Sequence, residues 1–528
     1  MKHFGSWMVR RHDRDGSPLH GGAVHAMRCA LRFGIMLPSV LGCDVHAAIH
    51  DQPDRFAAID RYVTAKLRSS RIPGLSLAVV EGDSIVFLAG YGSADPSGRP
   101  VTPRTPFLIG SITKAFTALA TLQLAEAGAI DLDAPVRRYV PWFETADGHA
   151  STVITVRHLL TMTSGLPQLY ETQFWTANDD AALERSVRLL QHVELADPPG
   201  ESFTYSNANS ETLGLIIQTV SGESYEEYVT RHILEPLAMR NSFTSQDEAE
   251  RHGMASGYRW WFGIPVAVAL PYNRAELPAG YIIASAEDMA HFVIAQLDTG
   301  RYRDARVLSP AGIELMQREP PPRAFGNGWE SVRIGGHRLV NLDGGTANFQ
   351  ASLFFDPEAR VGVFIAANVV NALDTFSSPS GSSVLDGPTA RGMAMTVLSM
   401  VTNRPLPDVG PGHERLTLIF DLVLLALTIA LAISLWRISG WYRQSARRGV
   451  GSRAELARRM VTILVTGFTL PVLLVYLAFV PAWRVVARFQ PDLAWWLYAA
   501  GAVLLVKGVV EIVLLRRIFG ATRYPTHP

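Results

Sequence analysis

Three long apolar runs close the chain, and they constrain its fold more than any other feature. Residues 416–436, 460–483 and 493–515 are each more than twenty residues long. At 1.5 Å rise per residue, each can cross a hydrocarbon core of about 30 Å as a helix. In lipid every backbone N–H and C=O must be satisfied within the segment, so helix is the form such runs take. The first run holds one charge, Asp421, and the second none. The third holds Lys507 and Glu511, four apart on one helical face and able to neutralise each other. Between the first two runs lie Arg437, Arg443, Arg447, Arg448, Arg453, Arg458 and Arg459 against one acid, Glu455, whereas only Arg484 and Arg488 follow the second. The positive-inside rule places the arginine-rich loop in the cytoplasm, together with the tail 516–528 that carries Arg516, Arg517 and Arg523. Everything before residue 416 is then expected outside, periplasmic or extracellular, on the inner membrane of a bacterium. A buried helical bundle is the competing reading of the same runs.

An exported domain needs a signal. Residues 27–47 have the form of one: Arg28 and Arg32, an apolar stretch over 33–42, then the small-residue site Val45-His46-Ala47. Met27 fits as the start codon, which would leave 1–26 as a non-native or disordered extension. Val40-Leu41-Gly42-Cys43 loosely fits a lipoprotein processing site. The two cysteines, Cys29 and Cys43, cannot supply a disulfide framework or a four-ligand zinc site. With 48 basic and 48 acidic residues the chain is neutral, which argues against nucleic acid as a partner.

From 52 to 403, short apolar runs alternate with longer amphipathic ones, the pattern of an α+β domain. Residues 75–80 and 84–89, split by Glu81-Gly82-Asp83, predict a hairpin near the domain's start. Residues 353–355 and 361–367, split by Asp356-Pro357-Glu358, predict another near its end. Helical periodicity fills 112–126, 210–221 and 286–297 between them. Terminal strands in one sheet around a helical insertion are therefore expected. Pro405, Pro407, Gly410, Pro411 and Gly412 mark a linker over 404–415 to the membrane region 416–515.

Only four of the 48 basic residues are lysines: Lys2, Lys66, Lys114 and Lys507. Lys114 stands three residues after Ser111, where a strand or turn runs into an apolar helix, so both side chains share one face. Serine is a poor nucleophile until a base takes its proton. Arginine never deprotonates in proteins, whereas a desolvated lysine can act as that base. Ser111 at a helix N-terminus also gains backbone N–H groups suited to an oxyanion. An N-cap serine beside an incidental lysine is the bland alternative. A second constellation, Tyr205-Ser206-Asn207, follows the turn Pro198-Pro199-Gly200 and precedes a helix. A tyrosine hydroxyl can relay a proton to a leaving group, and an asparagine amide can hold both a lysine and a substrate carbonyl.

With His158-Leu159-Leu160-Thr161-Met162-Thr163-Ser164-Gly165-Leu166 between these two motifs, the chain resembles the serine β-lactamase and penicillin-binding-protein superfamily, closest to its class C branch and related serine peptidases and esterases. The resemblance covers about residues 55–403. It includes Leu277-Pro278-Ala279-Gly280 leading into Ser285-Ala286-Glu287-Asp288-Met289, and Phe325-Gly326-Asn327-Gly328-Trp329. It implies a β-lactamase/transpeptidase-like fold, an antiparallel sheet flanked by helices plus an all-helical region, here followed by three transmembrane helices. It implies acylation of Ser111, proton transfer by Lys114 and Tyr205, orientation of substrate by Asn207, and an oxyanion site from the backbone N–H groups of Ser111 and Gly345. The third family motif, Lys-Thr-Gly or His-x-Gly, is replaced by Leu342-Asp343-Gly344, which removes the cation or imidazole that would bind a substrate carboxylate. Three C-terminal spans behind such a domain also resemble the membrane-bound prodrug-activating peptidases that remove an N-acyl-D-asparagine cap. In that subgroup Asn348 matches the residue that recognises the D-asparagine, although an ordinary turn residue fits its position equally.

His158 is expected to pack rather than catalyse, and Trp260, Trp261 and Phe262 to line the core, the cleft or the bilayer interface. Zinc-protease, phosphate-loop and dinucleotide fingerprints do not occur, and no metal or organic cofactor is implied. The expected protein is a membrane-anchored serine hydrolase acting on a small peptide, amide or ester, peptidase or amidase rather than esterase, D,D-peptidase or β-lactamase. The rival from another class is a non-catalytic membrane receptor for cell-wall fragments or lipids.

Overall fold

The computed structural model describes residues 52–168, 177–318, 326–370, 390–404, 414–448, 453–478, 483 and 491–521. The expected signal segment with Cys29 and Cys43, the linker prolines and glycines, Phe325, Arg484, Arg488 and Arg523 lie outside the described residues.

In chain order, helix α1 (Gln52–Ser69) leads into the hairpin β1 (Gly74–Glu81) and β2 (Ser84–Gly92). A short strand β3 (Phe107–Leu108) passes through a 3-10 turn into α2 (Thr113–Glu126). A largely helical stretch follows, whose longest member is α3 (Asn207–Ser221). Next come a second hairpin, β4 (Tyr258–Trp261) with β5 (Ile264–Ala267), then β6 (Ile283–Ala284) and α4 (Ala286–Leu297). A meander of β7 (Glu330–Ile334), β8 (His337–Gly345), β9 (Gln350–Asp356) and β10 (Val361–Ala367) leads through β11 (Val369–Val370) to α5 (Ala390–Thr402). The chain then enters α6 (Glu414–Arg448), α7 (Arg453–Ala478) and α8 (Pro491–Ala521).

The main sheet has the order β2-β1-β10-β9-β8-β7, antiparallel throughout. The first hairpin thus docks against the last strand of the meander, with Leu75 opposite Ala367, as expected of terminal strands enclosing a helical insertion. The period of two explains how both faces are buried. Ala78, Val80, Phe364 and Ala366 point into one core with α2 and α4, while Leu75, Leu77, Val79, Val363 and Ile365 point into another under α1 and α5. A sheet covered on both faces needs nearly continuous apolar strands. The run Val-Gly-Val-Phe-Ile-Ala-Ala of β10 is buried at every position.

α2 is the central helix of the first core. It is buried over most of its circumference and carries no charge between Lys114 and Glu126, as a helix enclosed by other elements must. Its threonines fix the segment 277–280 beside it: Thr117 Oγ1 donates to Pro278 O at 2.6 Å, and Thr113 Oγ1 accepts from Ile282 N at 3.1 Å.

The three C-terminal helices contain the apolar spans Leu422–Gln444, Leu456–Leu477 and Pro491–Ile518, long and apolar enough to cross a membrane. α7 and α8 approach through small residues, since a Cβ at Gly467 would lie 2.8 Å from Gly508 Cα. Lys507 and Glu511 do pair, at 3.1 Å. The arginine-rich segment expected as a loop is mostly helix: α6 runs to Arg448 and α7 begins at Arg453. Arginine is a good helix former, so the helices continue past their apolar runs.

Candidate active site

Strand β3 sets the nucleophile's position. It pairs with β6, and Ile109 N donates to Ile282 O at 3.1 Å, so the chain is fixed up to Ile109, whose φ −93° and ψ 2° turn it out of the strand before Gly110. Gly110 takes φ +55°, and Ser111 follows in the 3-10 turn Gly110–Ile112 at the head of α2. The end of β8 presses directly on this turn. A Cβ at Gly110 would lie 2.5 Å from Gly345 N, and one at Gly344 would overlap the carbonyl oxygen of Ile109. Two glycines therefore let two backbones meet, which brings the backbone of Gly345 beside Ser111. At Gly345 itself a side chain would enter open space.

Lys114 follows one turn later, 2% exposed. Its Nζ donates to Ser111 Oγ at 3.0 Å, to Asn207 Oδ1 at 2.8 Å and to Ala279 O at 2.6 Å. Ser111 Oγ and Tyr205 OH share a hydrogen bond of 2.7 Å, and the ammonium lies 4.9 Å from the centre of the Tyr205 ring. Four side chains from two separate stretches, with the Ala279 carbonyl from a third, thus gather around Ser111 and Lys114. The geometry suits proton transfer: a neutral amine at Nζ would keep two N–H groups on Asn207 and Ala279 and aim its lone pair at Ser111 Oγ.

Tyr205 and Asn207 are held from behind by segment 158–166. Thr204 N donates to Met162 O at 2.9 Å, and Gly200 N to Thr163 O at 2.7 Å. Ser164 Oγ donates at 2.5 Å to Asn209 Oδ1, whose amide in turn reaches Ser206 O. The segment's role here is support. His158 belongs to a capping box with Thr155, its Nδ1 accepting from Thr155 N at 3.3 Å, and burial lowers its pKa below the usual imidazole range. It packs, as expected.

Leu342 is 2% exposed and sits in the first core opposite Leu353. Its neighbour Asp343 faces the other way and pairs with Arg391 of α5. Asn348 is 4% exposed, and both ends of its amide are occupied: Nδ2 donates to Val268 O at 3.0 Å, and Oδ1 accepts from Thr346 Oγ1 at 3.1 Å. It therefore ties the turn after β8 to Val268, the residue that follows β5, and its amide is taken up within the fold rather than turned to a substrate as the resemblance implies. Gly326 to Trp329 is a packing unit, with Gly328 against Ala118 of α2 and Trp329 edge-on to Phe355. Among the described residues no cluster of His, Cys, Asp or Glu is arranged to hold a metal.

Residues 59–377 match the family model described as Beta-lactamase, more than half of the chain. The chain belongs to the β-lactamase family. Its fold is that of the β-lactamase and penicillin-binding-protein superfamily of serine hydrolases, with three apolar C-terminal helices added. It is 32% identical over 313 residues to Protein flp of Staphylococcus aureus strain MW2, a stretch covering 59% of this chain and 62% of that protein. The chain thus matches less than two thirds of that relative's length. It is 31% identical over 255 residues to Penicillin-binding protein 4 of Amycolatopsis lactamdurans, 47% of this chain and 66% of the relative. Among solved structures it resembles the octameric penicillin-binding protein homologue from Pyrococcus abyssi, with 28% identity and a TM-score of 0.56 over 67% of this chain and 79% of that one.

Sequence reasoning missed two parts of this site. The Ala279 carbonyl on Lys114 and the glycine contact between 110 and 344 join positions far apart in the chain. Resemblance alone pointed toward them, through Leu277-Pro278-Ala279-Gly280 for the first and the implied oxyanion pair Ser111 and Gly345 for the second.

Proposed function

We propose that this β-lactamase-family protein is a membrane-anchored serine hydrolase, a peptidase or amidase, that works through an acyl-enzyme on Ser111 with its catalytic domain outside the cytoplasm. The single observation that carries the reading is the Ser111 hydroxyl bonded at once to Tyr205 OH at 2.7 Å and Lys114 Nζ at 3.0 Å. In the first half-reaction Ser111 Oγ attacks the carbonyl carbon and its proton moves to Lys114. The carbonyl oxygen takes negative charge between the backbone N–H groups of Ser111 and Gly345. Tyr205 relays the proton to the departing nitrogen, the C–N bond breaks and the amine leaves. Water, deprotonated by the same pair, then hydrolyses the ester. Asn207 orients both Lys114 and the substrate. Asn348 positions the turn that carries Gly345.

Leu342, buried in the core, offers no charge to a substrate carboxylate. This favours amides without a terminal carboxylate over D-Ala-D-Ala peptides and β-lactams, and the three C-terminal apolar spans, which resemble those of prodrug-activating peptidases, make N-acyl-D-asparagine amides the first subclass to try. The deciding experiment treats detergent-solubilised protein with a fluorophosphonate probe and reads the adduct by intact mass. Wild type is expected to label, Ser111→Ala not at all, and Lys114→Ala at a rate lower by about 10² to 10⁴. Folded wild type that stays unlabelled would return the protein to the receptor class.

A further inference from the structure

The second hairpin is built with one apolar face too many. Register pairs Trp261 with Ile264 and Arg259 with Val266, and Trp260 with Pro265. By the period of two, Tyr258, Trp260 and Ala267 share one face, and these pack against the second core. The opposite face and the tip present Trp261 at 40% exposure, Phe262 at 43%, Ile264 at 62% and Val266 at 44%. β5 is also the outer strand of its small sheet, β11-β4-β5. An apolar edge strand of this kind would invite aggregation in water.

The tip is tied to the helices that fit a bilayer. Phe262 N donates to Asp492 Oδ2 at 3.1 Å, and Asp492 stands 4% exposed in the first turn of α8. The same end of the helices carries aromatics whose polar atoms are satisfied: Trp483 Nε1 donates to Tyr498 OH at 2.6 Å, and Trp496 Nε1 to Thr428 Oγ1 at 2.8 Å, while Trp495 is 63% exposed. Rings with one apolar and one polar end collect at the membrane–water boundary. Trp261 and Phe262 lie at that level.

From these observations we infer that the β4–β5 tip is a second membrane contact, a non-helical wedge seated in the headgroup–acyl boundary of the outer leaflet. The inference rests on the reading that α6, α7 and α8 span a bilayer. The tip's own backbone is served, since Phe262 N bonds Asp492 and Gly263 O accepts from Arg71 Nη1 at 2.9 Å. These bonds satisfy two of the tip's polar backbone groups, the Phe262 N–H and the Gly263 carbonyl, which lowers the cost of placing the tip in lipid. At the other end, Asn348 Nδ2 holds Val268 O, and Arg259 Nε reaches Ala347 O at 3.2 Å. Four-residue strands at about 3.3 Å per residue put the base about 13 Å from the tip. The wedge thus sets the height of the Gly345–Asn348 turn, and of the reactive serine beside it, above the bilayer.

The test uses the full chain with Cys29→Ser and Cys43→Ser. Single cysteines at Phe262→Cys, Ile264→Cys, Asp83→Cys or Val472→Cys carry an environment-sensitive nitrobenzoxadiazole label. Each protein is reconstituted into vesicles of phosphatidylcholine and phosphatidylglycerol, with spin labels on the headgroup or on the upper acyl chain. Labels at 262 and 264 are expected to be quenched at least twofold more than the label in the exposed Asp83 turn, and most strongly by the shallow spin labels. Val472, 65% exposed on α7, should be quenched as well. Quenching at 472 with none at 262 and 264 would overturn the wedge and leave the anchor standing. Absence of quenching at 472 would overturn the anchor, and the wedge with it.

Discussion

At the scale of single residues, the site depends on where hydrogen-bond acceptors are placed around buried groups. Lys114 is tolerable in an apolar helix because three acceptors await its three N–H directions. Asp288 is a buried acid in the same domain. Burial pushes its pKa up to about 6, against the opposing pull of hydrogen bonds from Ser242 and Asn241. The folded state therefore holds this proton more tightly than the unfolded chain does. Its stabilising contribution is complete below about pH 4 and is lost as pH rises through about 6, a change of about 3 kcal/mol. Both bonds, from Asn241 N at 2.6 Å and Ser242 Oγ at 2.8 Å, land on Oδ2, where an amide oxygen can accept them. Asp288→Asn should accordingly flatten the fall in melting temperature between pH 4.5 and 7.5. An unchanged pH profile in the variant would count against this account.

At the scale of elements, the decisive contact is between the end of β8 and the turn that begins α2. Neither element has a reason of its own to be there, and the two glycines allow it. Gly344→Ala would force the Ile109 carbonyl, and Ser111 two residues on, to shift. A displacement of about 1 Å can cost about 10²-fold in rate. Fluorophosphonate labelling of Gly344→Ala should slow by about that factor while the far-ultraviolet circular dichroism stays that of the wild type. Labelling at the wild-type rate would mean that the turn absorbs the methyl group. Elements were also the most legible part of the sequence. The strand expected over 361–367 and the helix expected over 286–297 occur at those bounds. The helix expected from 210 begins instead at Asn207, because the extended Ser206 preceding it supplies the helix boundary without side-chain capping.

At the scale of the whole molecule, the protein is two kinds of core in one chain. The hydrolase domain is held by side chains facing both surfaces of its sheet, while the apolar C-terminal helices pack through a small separate cluster around Leu474, Trp483 and Ala494. Between them, Phe262 N of the β4–β5 tip donates to Asp492 Oδ2 at 3.1 Å. Two parts with separate apolar clusters should not be obliged to unfold together. Heating in detergent micelles is expected to abolish the near-ultraviolet signal of the hydrolase domain while much of the helical signal at 222 nm survives. A single transition with both probes coincident would show a tighter coupling.

Local chemistry by itself determined the strands, the main helices, the three apolar spans and the spacing of Ser111 from Lys114, because periodicity, turns and hydrophobic length are properties of neighbours in sequence. Only the tertiary structure decided that Tyr205, 94 residues from Ser111, shares its hydroxyl bond, and that Ala279, 165 residues from Lys114, caps the amine. It also divided the aromatic trio, sending Trp260 inward while Trp261 and Phe262 stay exposed beside α8. Such meetings follow from how a whole core closes, since each rests on many packed contacts distributed along the chain, and no single stretch of residues carries that sum.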